Sequence, residues 1–217
     1  MRARKEIIIA LDEGTTNAKA VALDSQGKVL AQFPRPLTIE TPREGWVVQS
    51  GEMLVEASLA VLSRAIAEVG ADNVAALAIS NQRETAIGWY RSNGKPLSSA
   101  ITWQCSRSAE FCEGLRRDRL EQQIKSTTGL PVAPLFSGSK MRWLLESVPN
   151  GLVLAAQGEI CLGTIDSWLI WNLTGGDAFC CDYSNAARTQ LLSLHSADWD
   201  DEMLNIFQIP RAALPEI

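Results

Sequence analysis

The residue types best suited to bind a charged ligand lie near the start of the chain, in the segment Asp12-Glu13-Gly14-Thr15-Thr16-Asn17-Ala18-Lys19. A preceding apolar strand would deliver the Asp12 carboxylate into a tight turn, where Gly14 lets a ligand approach the backbone closely. Three side chains of this turn can donate hydrogen bonds: Thr15, Thr16 and Asn17. With Lys19 to neutralise charge and Asp12 to hold Mg²⁺, the segment is suited to a polyphosphate. A hairpin turn whose polar side chains are merely solvated is the alternative at this point.

A second polar cluster, Asn81-Gln82-Arg83-Glu84-Thr85, directly follows an apolar run over residues 74–80. Ligand sites in α/β sheets form where strands end. Arg83 offers a fork of donors and Glu84 a charged acceptor, a pair that suits a polyol whose hydroxyl groups both donate and accept. Trp103, at the end of the next predicted strand, would add an apolar wall. An ordinary surface ion pair between Arg83 and Glu84 is the alternative.

The composition is that of a globular protein, with 46% hydrophobic and 21% charged residues among 217. A formal net charge of −5 provides no basic surface for a phosphate backbone, so we expect no nucleic-acid partner. The apolar run Ile7-Ile8-Ile9-Ala10-Leu11 ends at Asp12, well short of a membrane span or a signal-peptide core. The sequence therefore predicts a cytoplasmic protein that does not associate with a membrane.

The cysteines and the single histidine carry no recognisable catalytic or metal-binding pattern. The cysteines are odd in number and have no C-x-x-C spacing, which favours reduced, structural thiols over a disulfide framework or a zinc site. They are Cys105, Cys112, Cys161, Cys180 and Cys181. His195 lies in a stretch rich in serine and aspartate, and we predict an ordinary surface residue.

The order of predicted elements indicates an α/β fold. Residues 6–11, 18–24 and 28–33 predict an antiparallel meander, and Ser50 is expected to cap an amphipathic helix that ends at Gly70. A buried strand over 74–80, a strand over 86–90, a hairpin turn at Asn93-Gly94 and a strand near 101–103 follow. Further helices are predicted over 106–118, 120–127, 137–147 and 164–173. Strands first, then alternating strands and helices, predict a mixed sheet flanked by helices.

Nearly the whole chain resembles the glycerol kinase branch of the FGGY carbohydrate kinases, because six of its segments occur in that family's order. The segments are Asp12-Glu13-Gly14-Thr15-Thr16, Asn81-Gln82-Arg83-Glu84-Thr85, Trp103-Gln104-Cys105, Phe136-Ser137-Gly138-Ser139-Lys140 with Trp143-Leu144-Leu145, Gly163-Thr164-Ile165-Asp166-Ser167-Trp168-Leu169-Ile170-Trp171, and Asp182-Tyr183-Ser184-Asn185-Ala186-Ala187-Arg188-Thr189. The first turn also resembles the phosphate-wrapping hairpin of the wider sugar kinase, actin and chaperone ATPase superfamily. The resemblance implies a ribonuclease-H-like α/β fold, with residues 1–217 as a single N-terminal domain.

The same resemblance implies a kinase that transfers a phosphoryl group from ATP, with Mg²⁺, to a small polyol such as glycerol. Asp12 would serve the metal, and the nucleotide phosphates would contact Thr15, Thr16, Asn17 and Lys19. The polyol would contact Arg83, Glu84, Trp103 and Leu135. The family's general-base aspartate would lie beyond Ile217, in a second domain, so we expect the isolated chain to be inactive. Formation of a homo-oligomer stays open.

The later segments are expected to build the fold. We interpret Lys140, Trp143, Trp168 and Trp171 as helix-packing and helix-end residues. Arg188 is expected to form an internal ion pair with the nearby Asp182, without a catalytic role.

Three positions depart from the family pattern. The family has Gln in place of Glu13 and Arg in place of Lys19, and the second change keeps the charge but loses the planar bidentate fork. Glycerol kinases have a substrate-contacting tyrosine at the position of Leu135, which offers no hydroxyl group. Leu135 leaves open an FGGY kinase for another polyol or sugar. The expected position of the second domain beyond Ile217 leaves open a shortened, non-catalytic ligand-binding domain.

Overall fold

The computed structural model describes residues 6–217, which form two compact units. The first unit comprises residues 6–39 and 52–82, and the second comprises residues 40–51 and 83–217. The single domain proposed for residues 1–217 stays a prediction.

Five strands precede the first helix, and groups of strands and helices follow along the rest of the chain. The strands are β1 (Ile7–Glu13), β2 (Asn17–Leu23), β3 (Val29–Pro36), β4 (Glu40–Arg43), β5 (Trp46–Gln49), β6 (Val74–Asn81), β7 (Ala86–Tyr90), β8 (Ala100–Ile101), β9 (Ile160–Thr164), β10 (Leu192–Ser193) and β11 (Asp198–Trp199). The helices are α1 (Gly51–Val69), α2 (Ala109–Arg117), α3 (Glu121–Thr128), α4 (Ser137–Glu146), α5 (Gly151–Ala156), α6 (Ile165–Leu173), α7 (Tyr183–Ala186) and α8 (Asp201–Phe207).

The first unit is built on a four-stranded mixed sheet in the order β3-β2-β1-β6. The β1–β2 and β2–β3 pairs are antiparallel, and β6 lies parallel to β1. Burial alternates along the inner parts of β1 and β2, so that Ile9, Leu11, Ala18 and Ala20 all lie on the buried face. The predicted meander and the predicted mixed sheet are confirmed.

Helix α1 begins directly after Ser50 and ends directly before Gly70, as the sequence predicts. Its side chains contact β3 at two points. The Arg64 guanidinium lies 4.4 Å from the centroid of the Phe33 ring, and Arg35 Nη2 lies 2.6 Å from Glu56 Oε1. These contacts fix the helix beside the meander that carries the Asp12–Lys19 turn.

Strand β6 is where the sequence expectation and the structure differ in this unit. The strand forms as predicted, but it is not a buried strand, because most of its residues are exposed and Leu77 is 43% exposed. The reason is its place at the edge of the four-stranded sheet. An apolar run predicts a strand, whereas its burial depends on what lies beside it.

The second unit contains a five-stranded antiparallel sheet in the order β4-β5-β8-β7-β9. The Asn93-Gly94 turn between β7 and β8 is confirmed, with Gly94 at φ 68°. The sequence analysis did not predict the strands β4, β5 and β9. The four helices predicted after β8 are all present, although α2 begins at Ala109, three residues later than expected.

The core of the second unit lies between its sheet and helices α2 to α5 and α8. Its buried members include Ile101, Ile124, Leu144, Leu162 and Phe207. Two buried tryptophans of this unit, Trp89 and Trp168, pack with ring centroids 5.1 Å apart, and Trp168 Nε1 donates to the Gly51 carbonyl at 2.9 Å. Trp168 is thus a packing residue at α6, as expected.

The cysteines and the histidine occupy the environments predicted for them. All five cysteines are free thiols, and four of them are buried. His195 is exposed. Within residues 6–217 no helix combines the length and the apolar character needed to cross a membrane.

Candidate functional site

The turn between β1 and β2 gathers four of the five predicted metal and nucleotide residues around one open cavity. Asp12 and Lys19 are paired across the two strands, and the Gly14 amide donates to the Asn17 carbonyl at 2.9 Å, which closes the turn. The cavity, of about 400 Å³, is lined by Asp12, Gly14, Thr16, Asn17, Lys19 and Pro34. Thr15 lies in the same turn. A carboxylate, an ammonium group and hydroxyl and amide donors therefore line a space large enough for a phosphate group.

The Asp12 carboxylate is suited to a divalent cation. Its side chain is 53% exposed, and its nearest cationic partner, Lys19 Nζ, lies 3.8 Å from Asp12 Oδ2. An exposed pair at this distance contributes little stability, so it competes weakly with a cation. Mg²⁺ is commonly held by one or two carboxylates together with water and substrate phosphate oxygens. The single half-exposed carboxylate fits that pattern.

Glu13 is the buried anchor of the turn. Its side chain is fully buried, and Gln82 Nε2 lies 3.2 Å from Glu13 Oε1 and 3.3 Å from the Gly14 carbonyl oxygen. Burial raises the pKa of Glu13 to about 8; the hydrogen bond from Gln82 opposes this effect and the nearby Asp12 adds to it. Glu13 is therefore protonated at neutral pH, so it fills the position of the family's neutral glutamine without adding a charge.

In the second unit, Glu84 has an unusual backbone and a fixed carboxylate. Its φ is 65°, a left-handed conformation that is uncommon for a residue other than glycine. Its Oε1 accepts a hydrogen bond from Arg188 Nε at 2.6 Å, and the Glu84 side chain is only 13% exposed. The adjacent Arg83 is exposed.

Arg188 corrects the sequence-based expectation. It was expected to pair with Asp182, but its ion-pair partner is Glu84, 104 residues away in the sequence. Asp182 instead caps α7 and accepts the Asn185 amide at 2.7 Å. Burial disfavours the charged form of Asp182, but hydrogen bonds from Asn185 and Ser184, together with the positive charge of Arg83, lower its pKa overall. A helix cap satisfies this carboxylate, which leaves Arg188 available to Glu84.

The main chains of three predicted polyol residues converge in this unit. Lys140 Nζ donates to the carbonyl oxygens of both Glu84 and Leu135. The Trp103 amide donates to Thr85 Oγ1 at 3.2 Å, which places Trp103 beside the residue that follows Glu84. Trp103 is 39% exposed and Leu135 is partly buried. The predicted roles of these side chains in polyol binding stay predictions.

Sequence reasoning did not identify the residues that hold these segments in place: Gln82, Ser137, Lys140 as a polar anchor, and Arg188 as the partner of Glu84. A sequence signal existed for Lys140. It lies four residues after Phe136 and four before Leu144, both buried, so it occupies the apolar stripe of α4 where a lysine is unexpected. No comparable signal marks Arg188, because its partner is remote in the sequence.

Curated proteins similar to this chain include glycerol kinases. The glycerol kinase of Enterobacter sp. (strain 638) is 46% identical over 215 residues, which cover 98% of this chain and 43% of the relative. The glycerol kinase of Escherichia coli O7:K1 (strain IAI39 / ExPEC) is 44% identical with the same coverage. The chain therefore spans less than half the length of these relatives.

Solved structures show the same fold. Plasmodium falciparum glycerol kinase with ADP matches with a TM-score of 0.87 and 30% identity, over 97% of this chain and 42% of that one. Gluconate kinase from Lactobacillus acidophilus also has a TM-score of 0.87, with 26% identity over 97% of this chain and 41% of that one. The predicted sugar kinase fold is confirmed. Residues 7–217 match the N-terminal domain of the FGGY family of carbohydrate kinases, and the chain belongs to that family.

Proposed function

We propose that the protein carrying this chain transfers the γ-phosphoryl group of ATP to a hydroxyl group of a small polyol, with glycerol as the first candidate. The observation that carries the proposal is the cavity at the β1–β2 turn, where Asp12, Thr16, Asn17 and Lys19 lie together. Phosphoryl transfer depends mainly on positioning and charge neutralisation, and a carboxylate for the metal with surrounding donors meets that need.

In this proposal, Thr15, Thr16, Asn17 and Lys19 bind the nucleotide phosphates. Asp12 would hold Mg²⁺, which when bound supplies charge neutralisation at those phosphates. The exposed donors of the turn bind and orient the phosphate oxygens through hydrogen bonds. Since ATP is a cytosolic metabolite, we propose the cytoplasm as the site of action.

The acceptor is assigned to the second unit. Glu84 would accept hydrogen bonds from the polyol, Arg83 would donate to it, and Trp103 and Leu135 would supply apolar contact. The Glu84 carboxylate is already oriented by Arg188 at 2.6 Å, so little ordering is needed when a hydroxyl group binds. Preorganised acceptors of this kind favour a specific orientation of a small flexible ligand.

A second candidate is an FGGY kinase for another polyol or a sugar. Leu135 favours it, because leucine provides no hydroxyl group where glycerol kinases have tyrosine. A gluconate kinase also matches the fold as closely as a glycerol kinase does. A glycerol kinase and these alternative kinases catalyse the same phosphoryl transfer and differ only in the acceptor.

The test is an ADP-release assay with ATP and Mg²⁺ on the purified protein that carries this chain, expressed from its complete gene. Glycerol, erythritol and pentuloses are compared as acceptors, and an Asp12→Asn variant prepared in parallel controls for contaminating kinases. The proposal expects acceptor-dependent ADP release that is lost in the variant. Highest kcat/KM with a pentulose or erythritol would favour the second candidate, and no acceptor-dependent release with any compound would refute both.

A further inference from the structure

Lys140 is a fully buried lysine whose ammonium group contacts three main-chain carbonyl oxygens. Its Nζ donates to the carbonyls of Glu84 at 3.3 Å and Phe136 at 3.2 Å, and also to that of Leu135. Glu84 precedes β7, whereas Leu135 and Phe136 precede α4. One nitrogen therefore ties together two segments that lie more than 50 residues apart in the sequence.

The Glu84 backbone needs such an anchor. A left-handed φ of 65° costs free energy for a residue with a side chain, so neighbouring contacts must hold it in place. Its carbonyl oxygen accepts hydrogen bonds from Lys140 Nζ and, at 3.1 Å, from Ser137 Oγ. Both donors lie on α4, which makes this helix the support of the Glu84 conformation.

Helix α4 also contacts the segment that contains Arg188, the partner of the Glu84 carboxylate. The Gly138 amide donates to the Thr189 carbonyl at 2.8 Å, directly beside Arg188. A Cβ at Gly138 would lie 2.7 Å from that carbonyl oxygen, so only glycine allows the approach. The main chain and the side chain of Glu84 are thus both fixed from α4, one directly and one through Arg188.

We propose that Lys140 is the positioning residue of the polyol site: its ammonium group sets the distance between Glu84 and Leu135 and holds the left-handed Glu84 backbone. The inference rests on the proposed function, because it assigns Glu84 and Leu135 to the acceptor. It goes beyond a packing role. A helix that needed only packing at this position would be served by an apolar side chain, since a buried charge carries a large desolvation penalty.

The protonation of Lys140 provides a readout specific to this role. Burial lowers the pKa of Lys140 to about 7, and electrostatic interactions with the neighbouring Cys105, Glu84 and Cys112 side chains oppose this effect. The protonated amine has three donors for three carbonyls, and the neutral amine has two. The hydrogen bonds from Lys140 to the Glu84 and Leu135 carbonyls therefore weaken as the pH rises through about 7, and we expect the polyol affinity to fall with them.

The experiment compares three variants of the gene-encoded protein. Lys140→Met removes all three hydrogen bonds, and Ser137→Ala removes only the second donor to the Glu84 carbonyl. Leu145→Ala is the matched control, because it leaves a cavity in the core five residues further along the same helix. The readouts are the polyol KM at pH 6 to 9, the ATP KM, and hydrogen exchange of the segment 82–86.

We expect Lys140→Met to raise the polyol KM at least about tenfold, since a misplacement of about 1 Å can cost roughly a hundredfold. The ATP KM should change less than about threefold, and exchange in segment 82–86 should accelerate. Ser137→Ala should change the polyol KM and the hydrogen exchange of segment 82–86 in the same direction, but by a smaller amount. The rise of polyol KM with pH should be present in the wild type and absent in Lys140→Met.

Equal polyol KM values and equal exchange in Lys140→Met and the wild type would overturn the inference. So would a Leu145→Ala variant that reproduces every effect, because the role would then be general stability. If Lys140→Met does not fold, Ser137→Ala decides alone through KM and exchange. A wild-type protein without polyol turnover would refute the proposed function itself, an outcome distinct from an active wild type with an unaffected Lys140→Met.

Discussion

The two candidate binding regions are built in opposite ways. The turn between β1 and β2 is open, with Asp12, Thr16 and Asn17 exposed around a cavity and a protonated Glu13 buried beneath. In the second unit, the Glu84 carboxylate is largely buried and fixed by Arg188, and its main chain is held by Lys140. The first region presents donors and leaves their final arrangement to the ligand. The second arranges its acceptor before any ligand binds.

The difference matches the chemistry proposed for each region. A polyphosphate brings its own charge and its own Mg²⁺, so exposed donors on a tight hairpin can adapt to it. A polyol brings neither charge nor rigidity, and its recognition depends on acceptors fixed in advance. Changes in the first region should therefore affect turnover and the nucleotide, whereas changes in the second should affect acceptor affinity.

The largest effect is expected from Asp12→Asn in the gene-encoded protein. Loss of the carboxylate that would hold Mg²⁺ should lower kcat by at least about a hundredfold, since metal-assisted charge stabilisation contributes several kcal/mol. The polyol KM should stay within about threefold of the wild-type value. Steady-state kinetics with ADP release as the signal measure both quantities.

Asp72→Asn is the control for Asp12→Asn, because Asp72 is an exposed aspartate of the same unit outside the turn. If the kcat of Asp12→Asn lies within a few-fold of the wild-type value, the proposal that Asp12 holds Mg²⁺ is wrong.

The second prediction concerns the buried carboxyl group beneath the turn. The unfolded chain releases the Glu13 proton near pH 4.5, but the folded chain holds it to about pH 8, so stability falls as the pH rises between these values. We expect the free energy of unfolding of the wild type to fall by about 2–4 kcal/mol between pH 4.5 and pH 8 in metal-free buffer. Glu13→Gln should not show this fall, because glutamine does not titrate. Thermal unfolding of both proteins from pH 4.5 to 8 measures it.

Glu68→Gln serves as the control for Glu13→Gln, since Glu68 is exposed on α1 and its substitution should leave the pH profile of Tm unchanged. A parallel pH dependence of Tm in the wild type and Glu13→Gln would mean that Glu13 is ionised in the folded protein.

The third prediction tests whether polyol binding depends on the fixed orientation of the Glu84 carboxylate. Arg188→Met leaves the Glu84 carboxylate without its 2.6 Å partner, and the polyol KM should rise about tenfold because the acceptor must then be ordered on binding. The ATP KM should stay nearly unchanged. Arg142→Met, which removes the Arg142–Glu146 ion pair within α4, is the matched control. Equal effects of the two variants on polyol KM would show that the Glu84 orientation is unimportant.

The smallest effect is expected at Leu135. Leu135→Tyr introduces the hydroxyl group expected at this position from the resemblance to glycerol kinases, and one neutral hydrogen bond contributes about 0.5–1.5 kcal/mol. The glycerol KM should fall by up to about tenfold. Leu135→Phe adds the ring without the hydroxyl group and separates the two contributions. A glycerol KM that is unchanged or raised in Leu135→Tyr would argue against Leu135 as an acceptor contact.

The sequence by itself determined the elements whose contacts are local. Short apolar or alternating runs predicted β1 and β2, and Gly14 with its polar neighbours predicted the turn between them. The pairing of Asp12 with Lys19 follows from that hairpin, because the two residues are the ends of a segment of only eight residues. Helix α1 was likewise predicted at both ends by Ser50 and Gly70. In such segments the periodicity and turn chemistry of neighbouring residues decide the structure.

Only the tertiary structure decided which remote groups meet. Glu84 lies 104 residues from Arg188 and 56 from Lys140, so each contact depends on every intervening element being folded. The burial of Glu13 and the exposure of β6 depend in the same way on the sheet around them. Local pattern encodes which face of an element is apolar. The partner of a charge, and the pKa that burial gives it, exist only once distant segments have closed around it.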